Sequence, residues 1–143
     1  MKKILIVEDK QSFQLRVAYS ILVALEGLED SEKAVFKKMS SEVDPVVDFK
    51  KLGYELMITG HASKATELLA DNDFEMISLD GRIFRGHGND LLQLIPKENH
   101  AEKVLLFSGS LDDFEENSAN KVSKGGWNTI ESLVSVSKQI LNL

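Results

Sequence analysis

Residues Phe74–Leu92 read FEMISLDGRIFRGHGNDLL. The first half holds Phe74, Met76, Ile77 and Leu79, a short apolar run with charged residues before it and glycines after it. Such a run suits a strand covered on both faces, which has no solvated side to alternate toward. The run stops at Asp80. An isolated buried carboxylate costs on the order of several kcal/mol, so a charge here marks the end of a strand. Gly81, Gly86 and Gly88 then read as a loop, and Asp90, Leu91, Leu92, Leu94 and Ile95 resume at helical spacing. Asp80 is expected at the C-terminal edge of a central parallel strand, at the mouth of a βα loop. In open α/β sheets that edge is where ligands and chemistry collect.

The flanking segments repeat the pattern. Lys3–Val7 (KILIV) reads as a strand ending in Glu8-Asp9. Phe13, Val17, Ile21, Leu22 and Leu25 recur at helical spacing through Leu28, with Ser12 as N-cap and Gly27 near the end. Asp30–Lys51 is expected to be a helical insertion between the first helix and the second strand. In it Ala34, Val35, Met39 and Val43 line one face, Pro45 breaks the helix, and Val46, Val47, Phe49 and Leu52 give a mixed pattern. Tyr54–Thr59 (YELMIT) reads as a strand, and Ala62–Ala70 as a helix with Ala65, Leu68 and Leu69 inward. Asn89–Ile95 is a helix stopped before Pro96. Val104–Phe107 (VLLF) is a strand ending in Ser108-Gly109-Ser110. Leu111–Ala119 is acidic and at most a short helix. Asn120–Ser123 is a brief strand ending at Lys124. Trp127–Leu141 closes the chain as an amphipathic helix with Ile130, Leu133, Val134, Ser137, Ile140 and Leu141 inward, and Trp127 is expected to pack at its start.

Strands alternating with helices predict a doubly wound α/β fold: one parallel sheet of five strands with helices on both faces. At 143 residues, 43% apolar and 28% charged, the chain is expected to be a single globular domain. The net charge of −6 argues against direct contact with nucleic acid. With no cysteine there is no disulfide frame, thiolate zinc site or cysteine nucleophile. No apolar run reaches transmembrane length, and the start lacks the features of a signal peptide, so a cytoplasmic location without membrane insertion is expected.

The polar residues at the strand ends are Glu8, Asp9, Asp80, Ser108 and Lys124. Carboxylates brought close together repel one another and favour a cation. Magnesium takes one or two carboxylates plus waters and phosphate oxygens. A lysine and a serine hydroxyl can meet phosphate oxygens, and an aspartate can itself be the nucleophile, giving an aspartyl phosphate. Each feature alone has a plainer reading. Asp80 could cap its own loop, Ser108-Gly109-Ser110 could be an ordinary turn, and Lys124 could be a surface lysine. His61, His87 and His100 have no metal-site spacing and read as loop or surface residues, and Asp112–Glu116 reads as a solvated face.

The chain resembles the receiver domain of two-component response regulators. The resemblance rests on ILIVED, on the stretch from Gly53 through Leu92, on VLLFSGS, and on Lys124 with the final helix. It implies a flavodoxin-like strand order 2-1-3-4-5. It implies that Asp80 receives a phosphoryl group from a sensor histidine kinase or histidine phosphotransfer protein. It further implies that Glu8, Asp9, Asp80 and the backbone carbonyl of Arg82 hold Mg2+, and that Ser108 and Lys124 meet the phosphoryl oxygens. Output then passes to a downstream protein target by contact, and the chain is not expected to be an enzyme.

The sequence also departs from that pattern. Phe84 stands where a proline is usual, the segment between Ser108 and Lys124 is short, and Lys121 and Gly125 replace the usual aromatic and proline. The phosphorylation site is complete while the usual output relay is altered. The altered relay favours, as an alternative, a pseudo-receiver that binds proteins independently of phosphate, and the complete acidic pocket counts against it. An aspartate-nucleophile phosphatase is disfavoured, because it needs a second Asp where Arg82 stands.

Overall fold

Lys2–Val7 forms β1, an inner strand of the sheet. Its side chains alternate between two cores, Ile4 and Ile6 to one face and Leu5 and Val7 to the other, and all four are buried. That double burial is why the segment carries no polar alternation. The computed structural model describes residues 1–27, 44–115 and 118–143. The expected helix face of Ala34, Val35, Met39 and Val43 lies outside the described residues.

α1 is Gln11–Glu26 and ends where Gly27 takes the left-handed conformation at φ 69°. Its N-cap is Lys10, without a side-chain hydrogen bond, not Ser12 as expected. Pro45, read from the sequence as a break, instead opens a helix, α2 (Pro45–Lys51). Asp44 accepts a bond from the Val46 N–H there, and proline suits a first turn because its missing N–H has no helical partner anyway. The mixed pattern expected after Pro45 resolves through Phe49, which is fully buried where its helix packs on α1 and on the strand Tyr54–Thr59.

β2 (Tyr54–Thr59), α3 (Ala62–Asp71) and β3 (Met76–Leu79) follow as expected. The loop after Asp80 is not irregular. It folds into a small antiparallel hairpin of β4 (Arg82–Ile83) and β5 (Gly86–His87). The helix beyond is shorter than expected: α4 is Gly88–Leu92. A 3-10 turn at Lys97–Asn99 and α5 (His100–Lys103) lead into β6 (Val104–Ser108). The acidic segment holds a 3-10 turn at Leu111–Asp113, then β7 (Asn120–Ser123) and α6 (Thr129–Ile140). Trp127 lies outside α6 and is 93% exposed, contrary to the packing role expected. His100, expected on the surface, is 4% exposed, its Nε2 lying 2.9 Å from the Ile95 carbonyl oxygen and 3.2 Å from that of Leu92.

The five long strands are parallel in the order β2-β1-β3-β6-β7, the order expected. α1, α2 and α6 supply the core on one face, while Ala65 of α3 and Leu91 and Leu92 of α4 contribute to the other. No helix among the described residues is long and apolar enough to cross a membrane.

Candidate functional site

Main-chain bonds past the strand ends fix the site residues. The Glu8 N–H donates to Thr59 O at 2.9 Å, the Asp80 N–H to Val7 O at 3.0 Å, and the Lys124 N–H to Ser108 O at 3.0 Å. The rigid sheet thus delivers the ends of β1, β3, β6 and β7 to one edge. Glu8 follows the alternation of Ile4 and Ile6, yet it is a carboxylate only 2% exposed.

That burial is managed by specific contacts. Glu8 Oε2 accepts from the Asp9 N–H at 2.9 Å. Glu8 Oε1 touches the Lys124 ammonium, but it is buried and accepts no hydrogen bond of regular geometry. Lys124 Nζ also lies 3.0 Å from Asp80 Oδ2, and Asp80 Oδ1 accepts from the Gly81 N–H at 2.8 Å. Burial raises the Glu8 carboxyl from 4.5 to about 7, helped by its hydrogen bond with Asp80 and opposed by Lys124. A proton on Glu8 eases its repulsion with Asp80, which a single lysine leaves partly uncompensated.

Glu8, Asp9 and Asp80 each present an oxygen, all within 4.8 Å of one another, with Asp9 on the exposed side. A donor set of three carboxylates, one of whose oxygens is buried against the Lys124 ammonium, fits a hard divalent cation, which takes oxygen ligands and displaces the proton. The structure therefore brings together Glu8, Asp9, Asp80 and Lys124. Ser108 is buried beside Gly81, where a Cβ would come within 2.9 Å of its Oγ. Its hydroxyl is turned to its own loop, donating to Ser110 O at 3.1 Å and accepting from the Ser110 N–H at 3.2 Å. Arg82 sits in β4, and its exposed guanidinium lies 3.4 Å from Asp113 Oδ2. Asp113, expected on a solvated face, instead helps tie the loop after β6 to the loop after β3.

The hairpin is pinned to the end of β2. The Phe84 N–H donates to Gly60 O at 3.0 Å, and the Ala62 N–H donates to Phe84 O at 3.2 Å. A proline at this position could not make the first bond. Gly88 lies so close that a Cβ there would meet the Asp80 carbonyl oxygen at 1.9 Å.

Some contributors carried no signal in the sequence. Gln14 Nε2 donates to the Glu8 carbonyl at 2.6 Å, bracing the end of β1 from α1. Phe13 and Phe107 flank the Lys124 ammonium. Both read in the sequence as ordinary core residues, because periodicity reports burial and not the polar group that a ring faces.

No protein-family model and no curated protein sequence matches the chain. Solved structures do. A Francisella response-regulator receiver domain superposes with a TM-score of 0.59 at 15% identity, covering 99% of this chain and 98% of its own. A CheY-like receiver domain protein from Methanospirillum hungatei gives 0.62 at 20% identity, covering 99% and 94%. The receiver domain of a Pseudomonas aeruginosa sensor histidine kinase, solved with a magnesium ion in its active-site cleft, gives 0.58 at 14% identity, covering 99% and 98%. The chain has the receiver-domain fold.

Proposed function

We propose that this receiver-fold chain accepts a phosphoryl group on Asp80 in a magnesium-dependent phosphorelay. The observation that carries this is the meeting of Asp80 with Lys124 at 3.0 Å inside the acidic cluster of Glu8 and Asp9. A carboxylate needs no general base to act as a nucleophile. An Asp80 oxygen attacks the phosphorus of a phosphohistidine on a sensor histidine kinase or histidine phosphotransfer protein. The P–N bond breaks, and the imidazole leaves and takes up a proton. Glu8, Asp9, Asp80 and the Arg82 carbonyl are the groups that would hold Mg2+, which when bound neutralises charge on the transferring group. Lys124 turns from the carboxylates to a phosphoryl oxygen, and Ser108 exchanges its bond to Ser110 for another. The protein acts as an acceptor and not as an enzyme, and its output is contact with a downstream protein.

The output route differs from the usual relay. Lys121, exposed on β7, stands where the relay would need an aromatic ring. That observation favours the alternative, a pseudo-receiver that binds its partner without phosphorylation. Incubation with magnesium and acetyl phosphate followed by intact-mass measurement separates the two. Phosphoacceptor function predicts a gain of one phosphoryl group that is absent in Asp80→Asn and without magnesium. No gain from either acetyl phosphate or a phosphorylated histidine donor, together with no magnesium binding, identifies the pseudo-receiver.

A further inference from the structure

Lys124 is held by more than its two carboxylates. Its Nζ lies 4.3 Å from the centre of the Phe13 ring and 5.5 Å from that of Phe107. The rings meet edge to face, at 77° with centroids 5.8 Å apart. Phe107 is locked in the core one residue before Ser108, and Phe13 is half-buried in the first turn of α1. An ammonium has three N–H donors, and Glu8 and Asp80 engage it. The Phe13 contact is well inside the roughly 6 Å within which a ring face attracts a cation. The Lys124 side chain is only 12% exposed, so water weakens that attraction little. The Arg16 guanidinium, 5.9 Å from the same ring centre, lies at the limit of that range.

We propose that Phe13 is a positioning residue that keeps the Lys124 ammonium over Asp80 when the carboxylates turn to a metal ion. The proposal rests on the phosphoacceptor function and adds how the site holds its lysine ready. Glu8 and Asp80 have two roles that compete, since an oxygen given to a cation is lost to the ammonium. The Phe13 ring has no such conflict. It is neutral, so it anchors Lys124 without consuming the charge that a phosphoryl oxygen needs. A leucine at this position fills much of the same space and offers no π face.

The test compares the wild type, Phe13→Leu, and chains carrying mono- and trifluorinated phenylalanine at position 13, which keep the ring's shape while weakening its face. Two readouts are taken with magnesium present: the NMR shift of the Lys124 ε-methylene and the initial rate of phosphorylation by acetyl phosphate. Expected are an upfield ring-current shift in the wild type that Phe13→Leu reduces to the part due to Phe107, and a rate about tenfold lower in Phe13→Leu. The rate should fall stepwise with fluorination at unchanged magnesium affinity. A Leu variant as fast as wild type, or a flat fluorination series, overturns the role of Phe13 and leaves the phosphoacceptor function standing. A wild type that gains no phosphoryl group from acetyl phosphate or from a phosphohistidine donor, and binds no magnesium, overturns that function itself, and the positioning role with it.

Discussion

Lys124 Nζ lies 3.0 Å from Asp80 Oδ2 and touches Glu8 Oε1, so one cation holds two buried carboxylates together. Removing one partner of a buried charged group costs about 3–5 kcal/mol, because the remaining charge is left uncompensated. Lys124→Met should lower metal-free stability by that order at about pH 8, as read from urea unfolding. The loss should shrink at about pH 6, where Glu8 carries a proton, and magnesium should restore part of it at either pH.

Glu8 gives the metal-free protein an unusual pH dependence. Its carboxyl is raised from 4.5 to about 7, so the folded state binds the proton more tightly than the unfolded state. The stability this contributes is fully present below pH 4.5 and is lost as pH rises through 7. Its size is on the order of 3 kcal/mol. Glu8→Gln should flatten stability between about pH 5 and 8 when urea midpoints are compared. Magnesium binding has the opposite slope, because the ligand must be deprotonated. Calorimetry should show affinity rising with pH through neutrality, with protons released.

The close approach at Gly88 makes it indispensable. A Cβ would meet the Asp80 carbonyl oxygen at 1.9 Å and crowd the Phe114 ring at 3.1 Å. Backbone atoms must move to relieve it, so Gly88→Ala should cost more than about 2 kcal/mol. It should also weaken magnesium binding by displacing the main chain of Asp80. Thermal unfolding and a magnesium titration of the same variant check both.

Trp127 should behave as a free indole. It is the chain's one tryptophan and is 93% exposed. Its emission should be that of a solvated ring and readily quenched by iodide. Trp127→Ala should change stability by no more than about 0.5 kcal/mol.

The inner strands β1, β3 and β6 were legible because they are buried on both faces. The apolar runs Ile4–Val7 and Val104–Phe107 can be little else when each ends in a polar residue and helical patterns lie between. Glu8 and Asp80 were legible for the same reason: a polar residue directly after a buried run marks a strand end, whereas the short polar strand before Lys124 gave no such run and Lys124 was legible through the family resemblance. What stayed hidden is set by pairing rather than by pattern. The hairpin of Arg82–Ile83 with Gly86–His87 is too short for any periodicity. Its position depends on Phe84 bonding to Gly60, far away in sequence. Pro45 reads equally as an end or a beginning, and Asp44 accepting from Val46 decides for a beginning. Trp127 misled because its bulk and apolarity imply burial, whereas the core of α6 begins at Thr129 and Ile130.

The central claim is that Asp80 carries the phosphoryl group. An acyl phosphate is reduced by borohydride, which converts a phosphorylated aspartate to homoserine. The protein would be treated with magnesium and acetyl phosphate, reduced, digested and sequenced by mass spectrometry. Homoserine at position 80, absent when magnesium is withheld, is the predicted result. Homoserine at Asp9 or another aspartate, hydroxynorvaline at Glu8, or no reduced residue in a protein shown to bind magnesium and offered a phosphohistidine donor as well, would contradict it.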